Sequence, residues 1–179
     1  MIMIPKRLQI GDTIGIVSPS GAVTEETINQ FNSGIDFLKN FGFKVKVGKN
    51  ALSNSLKYSA TPQEKADDLN SMFADKEVKA IICSQGGDNS NSILPLIDFN
   101  IIKNNPKIFL GISDITVLLN AIYKETGLVT FHGNDVMWGF GTEHADYDEQ
   151  EFKDRLIEGK IGEVKHNSKW KCIRNGVAE

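Results

Sequence analysis

The sequence predicts an α/β fold, a three-layer sandwich on a mainly parallel sheet, and three observations carry that reading. Short apolar runs recur along the 179 residues and alternate with segments of helical period. The runs are apolar on both faces, as strands covered by helices on either side must be. Turn-forming residues separate the two kinds of segment.

Taken in order, Asp12 to Ser18 is rich in β-branched residues and ends in the turn Ser18-Pro19-Ser20-Gly21, which predicts a strand and then a loop. From Thr24 to Phe41 the residues Ile28, Phe31, Ile35, Leu38 and Phe41 recur at three and four, with Gly42 as the stop. That spacing predicts a helix. Phe43 to Val47 alternates as a short strand. Thr61-Pro62-Gln63-Glu64 joins an N-cap threonine, a first-turn proline and a capping glutamate, so a second helix starts there with Ala66, Leu69 and Met72 inward. Val78 to Cys83, Lys107 to Leu110 and Leu128 to Phe131 read as further strands. Between the last two, Ile115, Leu118, Leu119 and Ile122 form a helical stripe from Asp114 to Thr126 that Gly127 ends. Beyond Gly133 a Gly/Trp/acidic stretch leads into a helix expected over 149–158.

The composition narrows the function classes. A content of 40% hydrophobic and 24% charged residues suits one substantial core, and a net charge of −3 leaves no broad basic field for a nucleic-acid backbone. No run approaches membrane-spanning length and Met1 to Asp12 is too interrupted for a signal sequence, so a cytoplasmic protein that engages no membrane is expected. Cys83 and Cys172 have no metal-binding spacing and are expected as free thiols, with Cys83 a small core hydrophobe.

The sharpest chemical signal is Lys107-Ile-Phe-Leu-Gly-Ile-Ser-Asp-Ile-Thr, a buried strand that runs through Gly111 directly into a helix. Ser113 stands at the turn, where a hydroxyl can be held clear of the sheet and first-turn N–H groups can stabilise an oxyanion. Ile115 replaces the second glycine of the usual nucleophile elbow. On the alternative reading, Ser113 caps the helix and Asp114 complements its dipole. The loop Ser84-Gln-Gly-Gly-Asp-Asn-Ser-Asn follows another strand, and its Gly86 and Gly87 let backbone amides approach a ligand. In a parallel sheet this loop, the Ser18–Gly21 loop and the elbow leave from one edge, the edge that holds ligands. A base for Ser113 is harder to find. His132, with Asp135 nearby, is one choice, while His144 and His166 lie in polar stretches.

Four blocks together resemble the N-terminal half of the LD-carboxypeptidase family of serine peptidases, which includes the microcin C immunity proteins. They are Gly11-Asp-Thr-Ile-Gly-Ile-Val-Ser-Pro-Ser-Gly, Gly86-Gly-Asp-Asn-Ser-Asn-Ser-Ile-Leu-Pro-Leu-Ile-Asp-Phe, Asn105-Pro-Lys-Ile-Phe-Leu-Gly-Ile-Ser-Asp-Ile-Thr and Ala121-Ile-Tyr-Lys-Glu-Thr-Gly-Leu-Val-Thr-Phe-His-Gly. The Gly-Gly-x-Asn-Ser-Asn form of the second is similar to the immunity type rather than the muropeptide-recycling type. Asn134 departs from the family, which often has proline after the His-Gly pair.

The resemblance implies a flavodoxin-like domain over 1–165 with Ser113 as nucleophile, and an oxyanion hole from the N–H of Asp114 and one from Gly86 or Gly87. It implies a Ser-Glu-His triad whose glutamate and histidine come from a C-terminal domain, with 166–179 as the start of the linker. The chain alone is then expected to be inactive. The implied substrate is a small peptide or peptidyl-nucleotide cut near a free carboxyl terminus, in a homodimeric parent enzyme without metal or organic cofactor. Muropeptide hydrolysis, and a module that only binds small anions, are the alternatives.

Overall fold

The structure, a computed structural model, describes residues 2–55, 58–143 and 146–163. Five parallel strands, β1 (Thr13–Val17), β2 (Lys44–Val47), β3 (Val78–Cys83), β4 (Ile108–Gly111) and β5 (Phe131–His132), lie in the order β2-β1-β3-β4-β5. This is the flavodoxin-like order, whose topological switch point falls between β1 and β3. Among the described residues five α-helices cover the sheet: α1 (Ile28–Asn40), α2 (Pro62–Ala74), α3 (Phe99–Asn104), α4 (Thr116–Thr126) and α5 (Asp146–Phe152).

Strand alternation sends side chains into two cores. Ile14, Ile16, Ala80, Ile82, Ile108 and Leu110 meet Phe31, Ile35 and Leu38 of α1, together with Phe140 and Phe152. On the other face Val17, Ile81, Cys83 and Phe109 meet Leu69, Met72 and Phe73 of α2, and Leu118 and Ile122 of α4. Thr13 pairs with Val78 but Ile14 with Ala80, so exposed Lys79 is the extra residue of a bulge that turns Val78 to the second face. Gly15 lets α2 close on the sheet, since a methyl there would stand 2.8 Å from the Met72 sulfur.

The predicted capping box is present: the Glu64 N–H donates to Thr61 Oγ1 and the Thr61 N–H to Glu64 Oε2 at 2.9 Å. Some boundaries move. α1 begins at Ile28 because Thr24 to Thr27 forms a turn, in which the Thr24 N–H donates to Thr27 Oγ1. The last strand is Phe131–His132 rather than 128–131, since Leu128 instead bridges the N-terminal Met3. The helix expected over 149–158 starts at Asp146 and passes into a π-helical turn over Lys153–Ile157. His144, His166, Cys172 and the linker expected over 166–179 lie outside the described residues. No described helix is long and apolar enough to cross a membrane.

Buried Lys107 fixes the start of β4 against α2 by donating to the carbonyls of Met72, at 2.9 Å, and Asp75. Burial lowers its pKa to about 8, against the pull of Asp75. Between that value and the usual lysine value of about 10.4, the unfolded chain holds a proton that the folded chain has released, so this residue's contribution to stability rises with pH. Urea midpoints at pH 7.5 and 9.5 should therefore shift in favour of the parent over Lys107→Met at the higher pH. A gap constant with pH would contradict the burial effect.

Candidate active site

Three loops leave the carboxyl ends of β1, β3 and β4 and meet beside the switch point. The Gly21 N–H donates to the Gly86 carbonyl at 2.9 Å, joining the first two. At Gly86 a methyl would lie 2.8 Å from Ser113 Cβ and 3.1 Å from its Oγ, so only a bare backbone can approach the elbow this closely. At Gly87, with φ +151°, a methyl would sit 2.3 Å from Ser20 Oγ. The convergence expected from the parallel sheet is thus found.

Ser113 is exposed and has φ +61°, a left-handed backbone that costs a non-glycine residue on the order of 1–3 kcal/mol. It opens the 3-10 turn Ser113–Ile115 that leads into α4, with Ile112 at the cap position and no side-chain cap bond. The hydroxyl is therefore not a helix cap. Gly111 permits the sharp turn, because a methyl there would press within 2.6 Å of the Ile115 side chain. The N–H of Asp114, in the first turn, is one of those a helix leaves without an internal acceptor.

The Asp114 carboxylate ties the loops together. Ser20 Oγ donates to its Oδ2 at 2.5 Å and the Ser90 N–H at 2.7 Å, while Ser90 Oγ donates to the Asp114 carbonyl at 2.8 Å. Burial raises the pKa of this carboxyl, but hydrogen bonds from Ser20, Ser90 and Asn89 outweigh it and hold the group below its ordinary value. Beneath them lies Lys65, 4% exposed, whose Nζ donates to the Ser20 carbonyl at 3.2 Å and to Asn89 Oδ1 at 2.5 Å. Sequence reading missed Lys65. Its only signal is a lysine beside Ala66 and Leu69 on the inward face of α2.

The structure does not bring His132 and Asp135 to Ser113 as a triad. Asp135, 2% exposed, accepts from the N–H groups of Trp138 at 2.7 Å and Gly139 at 3.1 Å. Burial raises its pKa despite these bonds and despite help from the amides of Met137 and Gly86. His132 is exposed and lines a separate 300 Å³ cavity with Phe131, Tyr147, Glu151 and Arg155. At the rim of the site Trp138 Nε1 donates to Gln85 Oε1 at 2.9 Å, and Gln85 Nε2 to the Ala22 carbonyl at 2.6 Å. Cys83 is fully buried, and burial pushes its thiol pKa well up. Among the described residues no group of three His, Cys, Asp or Glu is placed to hold a metal ion.

The domain is thus a parallel α/β fold with an exposed, strained serine at a strand-to-helix turn. The chain belongs to the LD-carboxypeptidase family, matching its N-terminal domain over residues 14–133. It is 42% identical over 134 residues to the microcin C7 self-immunity protein MccF of Escherichia coli, covering 75% of this chain and 39% of that protein. It is 45% identical over 130 residues to a probable murein peptide carboxypeptidase of Bacillus subtilis, covering 72% and 40%. A solved structure of microcin C7 self-immunity protein MccF with aspartyl sulfamoyl adenosine superposes with a TM-score of 0.85 at 37% identity, covering 89% of this chain and 48% of the other. The chain thus spans about two-fifths of the length of these curated relatives.

Proposed function

We propose that this chain is the nucleophile-bearing domain of a serine carboxypeptidase or amidase that cuts an amide bond near a free carboxyl terminus. The observation that carries the reading is Ser113, exposed at φ +61° with Gly86 packed against its Cβ. Ser113 Oγ attacks the carbonyl carbon, and the N–H groups of Asp114 and Gly87 stabilise the resulting oxyanion. The family resemblance places the glutamate and histidine of the triad in a C-terminal domain.

Within the family we assign the immunity type, acting on a peptidyl-nucleotide. Two points support this: the Gly-Gly-x-Asn-Ser-Asn form of residues 86–91, and the likeness to a relative solved with an aminoacyl sulfamoyl nucleoside. Muropeptide hydrolysis is the second reading, favoured by the 45% identity to a probable murein peptide carboxypeptidase. The test joins this chain to the C-terminal portion of a family member and assays a peptidyl-nucleotide beside a muropeptide tetrapeptide. Preference for the first is expected. Preference for the tetrapeptide reverses the assignment, and turnover of neither overturns the hydrolase reading.

A further inference from the structure

Lys65 is a cation almost sealed from solvent, and the attack by Ser113 makes no direct use of it. Long cationic side chains are rarely buried this fully without a paired charge. Here the pairing runs through two bridging residues. Ser20 accepts from Lys65 at its carbonyl and donates to Asp114 through its hydroxyl. Asn89 accepts from Lys65 at Oδ1, and its N–H donates at 3.5 Å to Ser20 Oγ, the hydroxyl that itself donates to Asp114. Asp114 and Asp88 are the negative charges acting on Lys65.

The placement of Asp114 sets an electrostatic problem. Its N–H is a proposed oxyanion donor, yet its carboxylate is a fixed negative charge on the same residue, and in a partly dry site two like charges a few ångströms apart repel strongly. The geometry points to Lys65 as a charge-balancing positioning residue: its ammonium, beneath the Ser20 and Asn89 bridges, offsets the Asp114 carboxylate so that the Asp114 and Gly87 amides can stabilise an anion on Ser113. This inference rests on the reading of Ser113 as nucleophile.

The test uses the chain itself with phenylboronic acid, which needs no general base. Ser113 Oγ adds to boron, its proton passes to solvent, and boron becomes a tetrahedral anion, a change read by boron NMR. Binding by the parent that is lost in Ser113→Ala is the expected baseline. Lys65→Met should weaken binding about tenfold, but less than about threefold when introduced into an Asp114→Asn background, where the carboxylate on the oxyanion-donor residue is gone. Lys65→Gln, which keeps a donor but not the charge, should follow Lys65→Met, and urea melts establish that each variant is folded. Equal losses in both backgrounds make Lys65 a structural prop and overturn the inference, as does no loss in either. A parent that binds no better than Ser113→Ala removes the nucleophile reading itself.

Discussion

Replacing Ser113 with alanine in the enzyme assembled from this domain is expected to lower kcat for amide hydrolysis by roughly 10⁴-fold or more, with little change in KM. On the proposed mechanism the hydroxyl supplies the attacking oxygen, whereas the groups that hold substrate remain. The fold should be unaffected, because the side chain is exposed and makes no cap bond. A companion change sharpens the test. Ser113→Gly removes the hydroxyl equally, but a residue without Cβ also relieves the left-handed strain, so the variant should be as inactive yet more stable by about 1 kcal/mol. Residual turnover above a hundredth of the parent in either variant would exclude Ser113 as the nucleophile.

Gly87→Ala is expected to lower kcat at least about 100-fold, the scale of losing one oxyanion donor. The new methyl would stand 2.3 Å from Ser20 Oγ and 2.7 Å from the Gly21 nitrogen, both parts of the neighbouring loop. That loop cannot yield without breaking the 2.5 Å bond from Ser20 to Asp114, so the distortion reaches the elbow. The backbone at φ +151° is also unfavourable for alanine, and stability should fall by about 1–3 kcal/mol. Thermal melts and steady-state kinetics read the two effects separately. A variant with parental kcat would show that the Gly87 amide does not face the reacting carbonyl.

Much of this arrangement was legible in the sequence, for identifiable reasons. β3 and β4 are continuous apolar runs because both faces are covered, and the stripes of α1 and α4 follow from one-sided burial. The Thr61–Glu64 box and the left-handed Gly127 are local codes that tertiary packing does not override. The short α3 escaped notice, having only Ile102 fully buried and no long stripe, although Asp98 caps it through the N–H groups of Asn100 and Ile101. β5 was misplaced because Leu128 is buried by packing outside the sheet. At the site, Ser113 and the glycine pair carry composition signals. The placement of Lys65 carries none, since its partners stand 24 or more residues away and no local pattern encodes its burial.

The sheet order has a practical corollary. All the chemistry proposed here hangs from one rim, while the turns that open the strands, around Gly11, Gly42 and the Asp75–Glu77 corner, occupy the other. A fluorophore, affinity handle or surface tether attached at that far rim should leave the reactive end unobstructed, which makes it the place to hold this molecule while its ligands are sought.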